Sequence, residues 1–328
     1  MVMRNSFYNL YEGKRVLITG DTGFKGSWLA IWLKELGAEV FGYALPAKRS
    51  EDNFVVSWLD SKIIHRDGDI RDKESLHLFF KEVQPDITFH LAAQPLVIDS
   101  YKGPHTTFET NLMGTVNFFE AVRATSSVKV ALNITSDKCY NNNEWVWGYR
   151  ENDPMGGKDP YSASKGCSEL ISSSYINSFF NETTTPNVAT ARAGNVIGAG
   201  DWAENRIVPD FFRAIKLNQS LYLRYPNATR PWQHVLEPLS GYLLLGAKLF
   251  SEGKGFSGGW NFGPLGTANK TVLELVNSMI ETLKKGVVEV SKDNHLHEAS
   301  LLQLDISKAE TLLKWEPVLD FYQTVDFT

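Results

Sequence analysis

Tyr161 and Lys165, in Tyr161-Ser-Ala-Ser-Lys165, stand one helical turn apart, so in a helix a phenol and an amine share a face. A phenol is a weak base at neutral pH because its ordinary pKa is about 10, and a neighbouring ammonium favours the phenolate. Such a pair can take a proton from an alcohol if another group takes the hydride. Near the start of the chain, Gly20-Asp-Thr-Gly23-Phe-Lys-Gly26 has the look of a dinucleotide-binding turn, one residue longer than the commoner Gly-x-Gly-x-x-Gly. Glycines serve there because the turn is tight, the backbone must approach a pyrophosphate and the next helix must pack hard on the strand. Either feature alone is ordinary; their order and surroundings make them informative. Thr135-Ser-Asp-Lys138 adds a hydroxyl, Ser136, able to hold the reacting alcohol.

These groups need a frame. Arg15-Val-Leu-Ile-Thr19 reads as a buried parallel strand feeding the glycines, and Ser27-Trp-Leu-Ala-Ile-Trp-Leu33 follows with helical periodicity until Gly37. Strand, turn and helix are the context a dinucleotide site requires, with the uncapped helix end offered to phosphates. Downstream, strands are expected at Glu39–Leu45, near Ile63-Ile64, at Ile87–Ala93 and at Val128–Ile134, and helices at Asp72–Val83 and Pro104–Thr125. The alternation predicts an α/β fold, a Rossmann-type doubly wound parallel sheet with right-handed crossovers and a crevice at the strands' carboxyl ends. Ser136 then lies on the crevice rim, and Tyr161 opens a helix after Asp159-Pro160. Beyond Ala199 the pattern breaks into short helices, loops and isolated strands such as Gly286–Val290. The expectation is a nucleotide-binding domain over 1–198, with some later segments returning to it, and a smaller substrate-binding domain over 199–328.

The 328 residues carry a net charge of -5 with no basic stripe, which argues against a nucleic-acid partner. No apolar run reaches bilayer length, and Met1–Lys14 is polar and mixed, so a cytoplasmic protein without a membrane partner is expected. Two cysteines, Cys139 and Cys167, make no disulfide framework. The histidines, His295 and His297 included, lack metal-ligand spacing, and no metal is expected. The Pro104–Thr125 helix and the one opening at Tyr161 carry apolar residues on more than one face, among them Phe118, Phe119, Leu170, Ile171, Tyr175, Ile176 and Phe179. One face can pack on the sheet, and the other predicts a partner.

The glycine triplet, Asp69-Ile70, His90-Leu-Ala-Ala93, Asn111 and Tyr161/Lys165 resemble the extended short-chain dehydrogenase/reductase superfamily. Within it, the chain resembles the nucleotide-sugar 4,6-dehydratases that act on CDP-D-glucose. The motifs are Thr22-Gly-Phe-Lys-Gly-Ser-Trp-Leu29, Ala93-Gln-Pro-Leu-Val97, Thr135-Ser-Asp-Lys138, Gly194-Asn-Val-Ile-Gly-Ala-Gly-Asp-Trp202, Arg206-Ile-Val-Pro-Asp210 and Arg230-Pro-Trp-Gln-His-Val-Leu-Glu-Pro-Leu239, so nearly the whole chain is covered. The resemblance implies a lyase of deoxysugar biosynthesis, on the route to lipopolysaccharide-type precursors. Tightly held NAD would oxidise C4, water would leave across C5 and C6, and the hydride would return to C6. The C4 ketone matters because it acidifies the C5 proton. By resemblance, Gly20, Thr22, Gly23, Phe24, Lys25, Gly26, Asp69, Ile70, Leu91, Ala92, Ala93, Tyr161 and Lys165 bind the cofactor. Gln94, Asn195, Arg206 and Arg230 grip CDP-glucose, and Ser136, Asp137, Lys138, Tyr161 and Lys165 carry catalysis. Asp137 is then the acid for the departing C6 hydroxyl. Lys138, standing where dTDP-glucose dehydratases have Glu, is the base for C5; the plainer reading is that it balances Asp137 and the diphosphate. A two-fold homodimer built as a four-helix bundle, or a tetramer, is implied as well.

Three features depart from the pattern. The acid that marks NAD over NADP at the end of the second strand is missing: Ala44 stands there, with Lys48 and Arg49 beyond, and basic residues there can accept a 2′-phosphate. Asp21 occupies a position where His is usual. Relatives run on through another helix beyond the point matching Thr328, which implies a shortened C-terminus. Two other functions remain open at this level. A nucleotide-sugar 4-epimerase shares the glycines, Tyr161 and Lys165 but has no need of Asp137-Lys138, and a non-enzymatic dinucleotide sensor has no need of Tyr161 or Lys165.

Overall fold

Val16, Leu17 and Ile18 are wholly buried because the strand that carries them, β1 (Arg15–Thr19), lies inside a parallel sheet covered on both faces. The computed structural model describes residues 7, 9–264, 266–290 and 301–328; His295 and His297 lie outside them. The sheet continues with β2 (Glu39–Ala44), β3 (Ile64–Asp67), β4 (Ile87–His90), β5 (Val130–Ile134), β6 (Asn187–Ala193) and a seventh strand, Gly258–Phe262. Their order is Gly258–Phe262, β6, β5, β4, β1, β2, β3, parallel throughout. The order reverses between β1 and β4, which opens the crevice where a doubly wound sheet binds its ligand.

Alternate residues of each strand serve different faces. Val16, Ile18, Phe89 and Leu132 pack with Leu29, Leu239 and Leu243 of two helices, Phe24–Glu35 and Leu236–Glu252. Leu17, Phe41, Ala131 and Val188 pack with Phe79, Phe80, Phe118 and Phe119 on the other side. Each of the larger side chains contributes about 1.5–3 kcal/mol by leaving water, so the crevice rests on the packed core.

Several elements run shorter than the sequence suggests, for local reasons. β4 ends at His90 rather than Ala93 because Leu91 and Ala92 turn off to pass the glycine loop. A Cβ on Gly20, whose φ is +82°, would lie 2.6 Å from the Ala92 nitrogen. The expected 104–125 helix is Pro104–Phe108 and Gly114–Arg123 joined by a π-helical turn, Glu109–Met113. That turn carries Asn111, whose side chain bonds the Gln94 backbone on one side and Ser164 Oγ on the other. Phe118 and Phe119 prove fully buried, so of the two-faced apolar set they serve the core and not a partner. Leu170 and Phe179 remain exposed, at 61% and 41%.

The largest correction lies beyond residue 199. Where short helices and isolated strands were expected, Leu236–Glu252 forms a 17-residue helix under the sheet and Gly258–Phe262 becomes its seventh strand. On either side of these returns the chain builds a separate apolar cluster around Val208, Phe211, Trp232, Leu275 and Met279. The Gly286–Val290 segment yields Val288–Val290, paired in parallel with Leu221–Leu223.

Candidate active site

Ile134 ends β5 at the mouth of the crevice, and the chain then tightens into a 3₁₀ turn, Asp137–Cys139. Ser136 caps that turn: its Oγ accepts from the Lys138 backbone N–H at 3.3 Å and donates to Asp137 Oδ1 at 2.9 Å. Asp137 is buried, and its second oxygen, Oδ2, has no partner among the described residues, lying where a Cβ on Gly194 would be 3.1 Å away. An unpartnered buried carboxyl oxygen is costly unless function uses it. Lys138 Nζ stands 3.9 Å from Asp137 Oδ1, with a third of the side chain in solvent.

The Pro160–Phe179 helix delivers the Tyr/Lys pair. Asp159 caps it, accepting from the Ser162 N–H at 2.9 Å, and Pro160 occupies the first turn, where a missing N–H costs nothing. Burial pushes the Tyr161 hydroxyl up to about 12, and a hydrogen bond with Ser136 pulls it down. Among the charges acting on Tyr161, Arg206 favours the phenolate while Asp137 and Asp159 oppose it. Burial lowers Lys165 to about 8, against the pull of Glu169; its Nζ reaches the Ile134 carbonyl at 3.4 Å.

Glu169, one further turn along, was not among the sequence candidates. It is buried and accepts from Thr135, from Thr190 at 2.7 Å and from Arg192 at 2.7 Å. Arg192 in turn donates to Tyr140 at 2.6 Å. Burial alone would raise the Glu169 carboxyl, but Arg192 and the two threonines hold it below its ordinary range. The effect is to tie the end of β5, the middle of β6 and the Pro160–Phe179 helix together next to Ser136 and Lys165. The Tyr161, Lys165, Glu169 spacing of four and four was the available signal.

The glycine turn has the close-packed, uncapped geometry that a phosphate cradle needs. A Cβ on Gly26 would sit 2.1 Å from the Gly20 carbonyl oxygen, so Gly26 allows the helix to close on the turn, whereas a Cβ on Gly23 would meet only that oxygen at 3.2 Å. Gly23 caps the Phe24–Glu35 helix without a side-chain bond, and no acid lies in the first turn. The free N–H groups and dipole therefore face the crevice, which fits a dinucleotide pyrophosphate. Thr22 donates to the Leu45 carbonyl at 2.8 Å, fixing the turn against the end of β2, and Phe24 packs under Gly198. Lys25, expected among the cofactor contacts, has Asp137, Arg206, Lys165 and Lys138 as charged neighbours, and burial lowers it to about 8. Three cations and one carboxylate thus act on Lys25, a concentration of positive charge suited to diphosphates.

The remaining expected contacts are placed as follows. Asp69 is engaged by Arg71 at 2.6 Å, which also meets Glu109, and Arg71 holds its carboxyl below the usual range; Ile70 packs under Gly114. Leu91, Ala92 and Ala93 line the turn after β4. Gln94 spends both ends of its amide on Leu96 and Thr107, so it shapes its loop. Asn195 accepts at its backbone oxygen from the Gln233 N–H. Arg206 caps the Ile207–Leu217 helix and pairs with the buried Asp201 at 2.9 Å. Arg230 lies on the Thr229–Pro231 strand and donates to Thr229 O. Asp21, the unusual residue of the turn, is fully buried and bonds His65 Nδ1 at 2.7 Å.

Comparison with known proteins agrees with this architecture. The CDP-glucose 4,6-dehydratase of Salmonella typhimurium is 51% identical over 314 residues, spanning 94% of this chain and 88% of the relative. Among solved structures, the epimerase Mth375 of Methanothermobacter thermautotrophicus superposes with a TM-score of 0.86 at 25% identity, covering 100% of this chain and 94% of that one. The dTDP-glucose 4,6-dehydratase DesIV of Streptomyces venezuelae, solved with NAD and TYD bound, gives 0.81 at 24% identity over 95% and 94% of the two chains. The family model described as GDP-mannose 4,6 dehydratase matches residues 17–328, and with glycine cradle, Tyr161/Lys165 and Ser136-Asp137-Lys138 converging on one crevice, the chain belongs to that dehydratase family.

Proposed function

We propose that the protein is an NAD-dependent CDP-D-glucose 4,6-dehydratase. The observation that carries the reading is the buried, half-unpartnered Asp137 carboxylate beside Lys138 at the Tyr161/Ser136 site, in a chain half identical to a CDP-glucose dehydratase. An epimerase needs Tyr161 but has no work for a buried acid and an amine next to it.

Bound NAD would supply a reversible hydride store for C4 and C6. The chain's residues move the protons. Ser136 holds the C4 hydroxyl and Tyr161 takes its proton, helped by Arg206 and Lys165. With C4 a ketone, the C5 proton becomes acidic and Lys138, as the neutral amine, removes it. Asp137 gives a proton to the C6 hydroxyl, which leaves as water. A proton then returns to C5. Gly20–Gly26 and Lys25 would hold the cofactor diphosphate, Asp69 and Ile70 would flank its adenine, and Leu91–Ala93 would line its path. Arg206, Arg230, Asn195 and the loop shaped by Gln94 hold the CDP moiety, a task suited to guanidinium forks.

Incubation with CDP-glucose and mass spectrometry of the product tests the reading: loss of one water is expected. An unchanged mass with inverted C4 means an epimerase, and no change favours the sensor. The released nucleotide from denatured protein is expected to be NAD or NADH, since a hydride returned each turnover leaves the cofactor no reason to depart. Exposed Leu170 and Phe179 support a two-fold dimer through the Pro160–Phe179 helices; light scattering reads it directly. Among the described residues no helix is long and apolar enough to cross a membrane.

A further inference from the structure

A doubly wound site selects NAD with an acid at the end of its second strand, where the carboxylate bonds the adenosine ribose and repels a 2′-phosphate. Here that position is Ala44, buried and without charge. β2 and β3 pair in parallel, with Gly42 beside His65 and Ala44 beside Asp67. Residues in register across parallel strands stand on the same face, so Asp67 carries a carboxylate to the level and side from which Ala44 is missing one.

That carboxylate is aimed. Asp67 Oδ1 bonds His65 Nε2 at 3.1 Å, and His65 Nδ1 bonds Asp21 Oδ2 at 2.7 Å. Asp21 belongs to the glycine turn itself and fits only because β2 has a glycine there: a Cβ on Gly42 would lie 2.0 Å from Asp21 Oδ2. The His65 ring packs on Phe54, with centroids 5.0 Å apart. The Asp67 side chain remains 63% exposed, open to a ligand. On the basic side, the Arg49 guanidinium is drawn to Glu204 at 3.4 Å, and Asp52 binds the backbone N–H groups of Lys48 and Arg49.

We propose that Asp67, oriented by the Asp21–His65 pair, replaces the missing acid of β2 and is the residue that makes the adenosine pocket reject a 2′-phosphate. The inference rests on the NAD reading above and names the group responsible for it. A juxtaposed carboxylate and phosphate repel in proportion to their charges. Removing the carboxylate relaxes the rejection without creating a phosphate site.

The test is competitive displacement of bound NADH, read by its fluorescence, by NAD and by NADP, on wild type and on Asp67→Asn, Asp67→Ser and Asp21→Asn. The wild type is expected to favour NAD. Both Asp67 variants should narrow that preference about tenfold, a change of about 1.4 kcal/mol, chiefly through tighter NADP. Asp21→Asn should narrow it less, since it only frees His65. Wild type that prefers NADP overturns the NAD reading itself. Wild type that prefers NAD, with both Asp67 variants keeping the full preference, overturns only the role of Asp67.

Discussion

Replacing Lys138 by Met separates its chemistry from its place in the fold. The side chain is a third exposed, its amine lies 3.9 Å from Asp137 Oδ1, and that oxygen keeps its bond from Ser136 Oγ at 2.9 Å, so the fold keeps its anchor there. Met preserves the apolar stem. Removal of a positioned base, by contrast, slows its step by about 10²–10⁴-fold, or about 3–5 kcal/mol of barrier. A folded variant that is slow in one step is therefore expected. C4 oxidation should proceed, with enzyme-bound NADH and a 4-keto sugar that keeps its C6 hydroxyl accumulating. In deuterium oxide, C5 should remain undeuterated, as read by mass spectrometry of the sugar. Asp137→Asn should still exchange C5 if the acid acts only on the leaving hydroxyl. Exchange at the wild-type rate in Lys138→Met means that another group is the base, and the assignment of Lys138 fails.

Tyr161→Phe should abolish every step, bound NADH included, with thermal stability nearly unchanged; single-turnover absorbance of NADH reads the first and calorimetry the second. Glu169→Leu leaves the Arg192 guanidinium, 5% exposed, without its counter-ion, a loss of about 3–5 kcal/mol. The melting temperature should fall clearly, and the double variant Glu169→Leu/Arg192→Met should regain most of it. The Lys165 amine, lowered to about 8 by burial, is charged below that pH and loses its charge as pH rises through it. C4 oxidation should therefore decline through about pH 8. Glu169→Gln, which removes the carboxylate opposing that shift, should move the alkaline limb to lower pH in a single-turnover pH profile.

The nucleotide half of the molecule was readable because most of its strands are apolar runs bounded by clear breakers, and its candidate site residues sit in short local motifs. What went unread had its signals disguised by packing. β6, Asn187-Val-Ala-Thr-Ala-Arg-Ala193, is made of small residues with an arginine inside, and that arginine is buried against Glu169. The Gly258–Phe262 strand opens with two glycines, the second of which clears the Arg192 guanidinium, and buries Asn261, whose side chain bonds Tyr140 and the backbone carbonyls of Tyr149 and Asp305. The Leu236–Glu252 helix contains Pro238, Gly241 and Gly246, which read as breakers. Pro238 lies in the first turn, where it is tolerated, and the glycines make room for Phe262 and Tyr11. Asp21 shows the same limit: its partner, His65, lies 44 residues away, and no local pattern announces the pair.

The late return of the Gly258–Phe262 strand to β6 has a consequence for how the protein is made. As the chain leaves the ribosome, β1 to β6 are complete by residue 193, yet β6 has its outer neighbour only after residue 262 has emerged. Until then a strand designed for burial on both sides presents an open row of N–H and C=O groups, and the Leu236–Glu252 helix is not there to cover the adjoining face. Such an edge recruits whatever strand is nearest. A chain that stops between about 195 and 255 should therefore be a client of chaperones or a seed of aggregates, and not a free-standing nucleotide-binding domain.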